Sequence, residues 1–140
     1  MSSQSKSGLP PSDAPSIRLT AHDLARLEAV LDSPAYRQHP GTAALQRELD
    51  RAEVLPGAEQ AADIVGMNAR VECVDEHDGS RHILTLVYPH EADVDSGRIS
   101  VLAPVGTALL GLTVGQRIDW PVNGRTLRLR VLSVSPPDAT

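Results

Sequence analysis

The sequence predicts an α+β fold: a helical N-terminal part followed by a sheet with one short helix. Three observations carry that expectation. Two amphipathic helical stretches fall within residues 17–57. Two turn signals, Asp78-Gly79 and Asn123-Gly124, separate strand-like runs further along. A Pro-led, small-residue stretch, Pro104–Leu110, places one short helix among those strands. Helices gathered at one end and strands following them is the pattern of segregated α+β domains.

Each element has a local reason. Residues 1–16 are rich in Ser and Pro and read as a disordered tail. Thr20 followed three residues later by Asp23 reads as a capping box, with Leu19 and Leu24 as a hydrophobic staple. Leu24, Leu27 and Leu31 then recur at helical spacing, and Ser33-Pro34 stops the helix. Thr42 reads as the N-cap of a second helix carrying Leu45, Leu49 and Ala52 on one face. Arg47 with Asp50, and Glu48 with Arg51, are spaced to pair on its solvent side. The two helices make a short antiparallel hairpin within residues 17–57, ended by Pro56-Gly57. Residues 58–140 form the sheet domain. Val65–Val74 and Arg81–Tyr88 flank the Asp78-Gly79 turn as a β-hairpin. Ile99–Leu102 is a short strand. Gly111 caps the Pro104 helix. Gln116–Pro121 and Thr126–Val134 pair across Asn123-Gly124. In the last strand Leu127, Leu129, Val131 and Ser133 share one face, opposite Arg128, Arg130 and Leu132.

The 140 residues suffice for one domain, or two small ones sharing a core. Hydrophobic residues make up 41%, yet there is no Phe, one Trp and two Tyr, so Leu, Val, Ile and Ala must build the core. A formal charge of −5 excludes strong nucleic-acid binding by the chain as a whole and points to a protein partner. Lone Cys73 excludes an internal disulfide and fits a reducing compartment. No apolar run reaches membrane-span length, and the N-terminus lacks the apolar stretch of a secretory signal. A cytoplasmic monomer without cofactor is expected.

Glu91-Ala92-Asp93, Gly97-Arg98-Ile99-Ser100, Pro104, Ala108-Leu109-Leu110-Gly111 and Val114-Gly115 together resemble the C-terminal domain of the Gre transcript-cleavage factors, which bind bacterial RNA polymerase. Thr20-Ala21-His22-Asp23-Leu24, Ser33-Pro34-Ala35-Tyr36, Glu48-Leu49-Asp50-Arg51-Ala52 and Met67-Asn68-Ala69-Arg70-Val71 extend the likeness to the Rnk-type regulators of nucleoside diphosphate kinase, one branch of that superfamily. The resemblance spans roughly residues 17–134. It implies that the helical hairpin is a short coiled coil, followed by an FKBP-like antiparallel sheet domain with one short helix. It also implies docking on RNA polymerase at the rim of the secondary channel, in competition with Gre-type factors. Nucleoside diphosphate kinase is a second partner the resemblance suggests, reached directly or through transcription.

Gre factors insert a long coiled coil whose acidic tip holds a catalytic metal. That chemistry needs at least two close carboxylates, because Mg²⁺ takes several oxygen ligands. Here the hairpin tip is Asp32, Ser33, Tyr36, Arg37, Gln38 and His39, with one acid and one nearby cation. Transcript cleavage is therefore not expected. The resemblance places polymerase docking at Glu91, Asp93, Leu102, Ala103 and Pro104. A solvated loop is the alternative for Glu91-Ala92-Asp93, and a helix-start proline for Pro104. Asp75, Glu76 and Asp78 read as solvated turn charge. Neither acidic run has EF-hand spacing. Cys73, His77, His82 and His90 lack the tight ligand pairs of a zinc site, and Cys73 reads as a small core residue. With only Tyr36, Tyr88 and Trp120, an aromatic isomerase pocket is not expected either.

Overall fold

The structure is a computed structural model and describes residues 17–55, 63–122 and 124–135. The expected tail at 1–16, the Pro56-Gly57 stop and the Asn123 half of the second turn signal lie outside those residues. The elements run β1 (Arg18–Thr20), α1 (Ala21–Asp32), α2 (Thr42–Asp50), β2 (Glu53–Leu55), β3 (Arg70–Asp75), β4 (Arg81–Val87), two 3₁₀ turns (Pro89–Glu91 and Val94–Ser96), β5 (Arg98–Ser100), α3 (Pro104–Leu109), β6 (Arg117–Val122) and β7 (Arg125–Ser135).

Thr20 caps α1 by accepting the Asp23 N–H at 3.1 Å. The reciprocal half of the expected capping box is absent. Asp23 instead turns its carboxylate outward from the helix and accepts the Met67 N–H at 3.1 Å. That bond ties α1 to the segment leading into β3, and it joins two of the stretches that carry the Rnk-type likeness. Thr42 is not the N-cap of α2. Gly41 takes that position, and the Thr42 hydroxyl donates to the Tyr36 carbonyl at 2.7 Å. On α2 the Glu48–Arg51 pair forms at 2.9 Å, whereas Asp50 accepts from Gln46.

The main sheet has strand order β5-β4-β3-β7-β6. It is mixed, which corrects the purely antiparallel expectation: β5 pairs parallel to β4, with Thr85 opposite Arg98. The two 3₁₀ turns supply the reversal, carrying the chain back across the end of β4 so that β5 runs the same way. A second, two-stranded parallel pair joins β1 to β2, Leu19 opposite Val54. A register shift between Glu72 and Cys73 makes a bulge against β7. Beyond it the alternation slips by one, so Ser133 faces solvent opposite Glu72 and Val134 turns toward the core.

Leu27 and Leu45 from the two helices are fully buried. They belong to the same cluster as Val71, Leu86, Leu109, Leu129 and Val131. The apolar stripe of the helices is thus spent on the sheet as well as on the helical partner. Cys73 sits in this cluster with no exposed surface, and no group of three metal-ligating side chains occurs among the described residues. Asp75, expected to be solvated, is buried at 1% exposure. Its carboxylate accepts the His77 N–H at 3.0 Å, and the Arg125 guanidinium lies 3.9 Å away. No helix of the described residues is long and apolar enough to cross a membrane.

Burial, and secondarily the neighbouring Glu72 carboxylate, push the Cys73 thiol from 9.0 up to about 11. The folded protein therefore keeps this proton where the unfolded chain releases it. The stability held below pH 9 declines as pH rises from about 9 through 11, by at most about 3 kcal/mol. Denaturant melts across that window are expected to fall more steeply for the native sequence than for Cys73→Ala. Parallel pH profiles would refute the buried thiol as the source.

Candidate docking site

The loop from β5 into α3 is pinned by its own hydrogen bonds. The Ser100 hydroxyl accepts the Leu102 N–H at 3.0 Å, the Ser100 carbonyl accepts the Ala103 N–H at 3.0 Å, and the Thr107 hydroxyl donates to the Val101 carbonyl at 2.7 Å. Pro104 occupies the first turn of α3, where its missing N–H has no partner to lose. Gly111 follows the helix with φ +84°, as a helix-terminating glycine requires. Pro104 is exposed and Ala103 half-buried, so this corner stands rigid at the surface. Leu102 departs from its expected role: at 1% exposure its side chain belongs to the core, and its contribution to any contact is limited to backbone.

The connection between α1 and α2 approaches this corner. Any Cβ on Gly41 would collide with the Leu102 carbonyl oxygen and come within 2.8 Å of its carbon. Hence the chain needs glycine there for backbone to lie on backbone. Two of the expected contact regions, the connection and the α3 corner, therefore abut. Within the connection Asp32, Arg37, Gln38 and His39 are exposed and Ser33 is half-buried. The Arg37 guanidinium donates to the Asp32 carbonyl at 3.3 Å, and His39 Nδ1 accepts the Gly41 N–H at 2.9 Å. Tyr36 is half-buried against the core. Asp32 is the lone carboxylate of the stretch, and the Arg37 guanidinium bonds its backbone carbonyl, so these residues do not supply the paired carboxylates that a bound Mg²⁺ needs.

Glu91 closes the first 3₁₀ turn, and Asp93 stands immediately before the second, at its N-cap position. Glu91 Oε1 accepts the Tyr88 N–H at 3.4 Å. Asp93 makes both backbone bonds with Arg98, at 2.8 and 2.9 Å, and so aligns β5 beside β4. Asp93 is exposed and Glu91 half-buried. Nearby, the Arg26 guanidinium lies 5.1 Å from the centroid of the Tyr88 ring. Burial foremost raises the Tyr88 pKa above its ordinary value.

What the sequence did not reveal is a groove of about 950 Å³ beside Pro104. Its walls come from α2 (Ala44, Glu48), β2 (Glu53), α3 (Pro104, Thr107, Ala108) and the start of β6 (Arg117, Ile118, Asp119). The groove sets residues 44–53 against residues 104–119, far apart in the sequence, so no local pattern announces it.

Residues 15–55 match the family described as Rnk N-terminus, and residues 59–136 match Transcription elongation factor, GreA/GreB, C-term. The chain is an Rnk-type member of the Gre factor family. It is 42% identical over 110 residues to the Regulator of nucleoside diphosphate kinase of Escherichia coli (strain K12), covering 79% of this chain and 81% of that relative. A transcription elongation factor GreA from Thermodesulfovibrio yellowstonii is 34% identical over 91 residues, 65% of this chain but 58% of that longer relative. Among solved structures, a prokaryotic transcription elongation factor GreA/GreB from Nitrosomonas europaea superposes with a TM-score of 0.76 at 41% identity, covering 87% of this chain and 99% of that one. The Rnk-type match thus spans the helices and the sheet, whereas the GreA match leaves over two fifths of that relative without a counterpart.

Proposed function

We propose that this protein is a non-enzymatic transcription regulator. It binds bacterial RNA polymerase at the rim of the secondary channel and competes there with Gre-type factors, without cleaving transcript. Its relatedness to Rnk and Gre factors supports a transcription-associated role. The observation that carries the rest is the size and chemistry of the helical part. At 12 and 9 residues, α1 and α2 extend only about 18 and 14 Å at 1.5 Å per residue. Acting as a short hairpin, they would occupy a channel mouth without reaching far inside. The FKBP-like sheet domain would supply the docking corner at Ala103 and Pro104, with Glu91 and Asp93 flanking it. Arg37 and Tyr36 would serve as anchors at the connection, since both residue types are enriched among interface hot spots.

The test is a pull-down with purified core RNA polymerase, repeated with a Gre factor as competitor. Displaceable binding is the expected result, and no binding removes the channel reading. In the same assay Pro104→Arg is expected to weaken binding by roughly tenfold, about 1.4 kcal/mol. The melting temperature should stay close to that of the native sequence, because Pro104 is exposed. Unchanged affinity in a folded variant would move the docking face elsewhere.

A second reading rests on the printed name of the 42%-identical relative. Direct control of nucleoside diphosphate kinase predicts that the two purified proteins associate with no polymerase present. Control through transcription predicts that they do not.

A further inference from the structure

The outer face of the five-stranded sheet concentrates cations in an acidic chain. Arg70, Arg81, Arg98, Arg117, Arg128 and Arg130 all point away from the core, at positions alternating with buried neighbours. Three carboxylates, Glu72, Glu76 and Asp119, share that face. Six arginines against three acids leave a formal +3 here, so with −5 for the whole chain the remainder carries −8. The charge is also ordered in space. Arg81, Val74, Arg130 and Arg117 form a single row across four strands, so three arginines stand in line with one apolar residue among them. Like charges at neighbouring cross-strand positions are destabilising. Glu76 relieves part of that by accepting Arg117 Nε through both oxygens, at 2.9 and 3.1 Å, with Arg130 at 3.4 Å.

We infer that this face is a second interaction surface, separate from the Pro104 corner, and that it binds a carboxylate-rich surface of a partner protein. Charge complementarity selects an acidic occupant. The details select protein over nucleic acid. Guanidiniums on this face already clasp carboxylates, Arg81 with Glu72 at 2.6 Å and Arg117 with Glu76, and a planar fork suits that pairing. Ile83 is 56% exposed in mid-strand, beside half-buried Val74, which gives the patch an apolar centre with an arginine surround. No aromatic ring lies on this face to stack a base. Face-to-face pairing of two copies would set +3 against +3. Arg70 and Arg98 have no ion-pair partner among the described residues and are free to engage one.

The test uses the full chain in fluorescence anisotropy against two probes of equal formal charge, a labelled poly-L-glutamate peptide and a single-stranded RNA oligonucleotide. The peptide is expected to bind more tightly than the RNA and to weaken with salt. The triple variant Arg70→Gln/Arg98→Gln/Arg128→Gln is expected to bind it about tenfold less tightly. The control Arg18→Gln/Arg47→Gln/Arg51→Gln changes net charge equally and is expected to bind within about twofold of the native chain. Ile83→Asp, at an exposed position that leaves the core untouched, repeats the loss independently of the arginines. No peptide binding, equal losses in both triples, or tighter binding of RNA than of peptide would each overturn the inference.

Discussion

Leu27→Ala is expected to destabilise the protein by about 2–5 kcal/mol and to weaken helices and sheet together. Leu27 has no exposed surface and lies in the cluster that contains Leu86 of β4 and Leu129 of β7. Truncation removes the transfer free energy of three carbons and leaves a cavity in the one buried cluster to which helices and sheet both contribute. Were residues 17–55 an independent coiled-coil unit, the loss would stay local and β3, β4 and β7 would keep native protection. Denaturant unfolding by circular dichroism, with amide hydrogen exchange resolved by residue, separates the two outcomes. The expected result is one cooperative transition at lower denaturant, with exchange accelerated in β3 and β7 as much as in α1. Native-level protection in the sheet would mean that the helical part folds on its own.

Much of this fold was legible because its signals are local. Thr20 caps α1 through an N–H three residues on, Gly79 takes φ +79° in the expected hairpin turn, and Pro104 opens α3 where its lost N–H is harmless. The parts that escaped reading depend on distant chain. β1 and β2 are three residues each, too short for periodicity, and their pairing links Leu19 to Val54. The parallel β4–β5 pair rests on Asp93 bonding Arg98 after two 3₁₀ turns, a geometry that no alternation of apolar residues encodes. Leu102 shows the limit for the site. Around Pro104, which residue faces outward is decided by the turn that Ser100 imposes. Asp75 shows the same for charge. Its neighbours Glu76 and Asp78 are held below their ordinary pKa values, by the Arg117 hydrogen bond and by hydrogen bonds with Ser80 respectively. Asp75 itself, the last residue of β3, is drawn inside where the hairpin turn starts.

Gly106→Ala is expected to be destabilising by about 1–3 kcal/mol, against the usual direction for glycine in a helix. Helix propensity alone favours alanine by up to about 1 kcal/mol, and Gly106 needs no left-handed backbone. Packing decides the sign. An added Cβ would collide with the Ser100 carbonyl oxygen, approach its carbon to 2.7 Å and meet Val101 Cα at 3.1 Å. Those atoms are backbone, of Ser100 at the end of β5 and of Val101 just after it, fixed by the Ala103 N–H and by the Thr107 hydroxyl, so no side chain can swing aside. The helix must lift from β5 instead, and Pro104 at its start lifts with it. Thermal melts should show the loss, and a melting temperature equal to or above the native one would refute the close approach. The same variant separates two meanings of the Pro104 corner. If polymerase contact requires that corner in place, Gly106→Ala weakens binding although every surface side chain is retained. If only the identity of Pro104 matters, Pro104→Arg weakens binding and Gly106→Ala, assayed well below its melting temperature, does not.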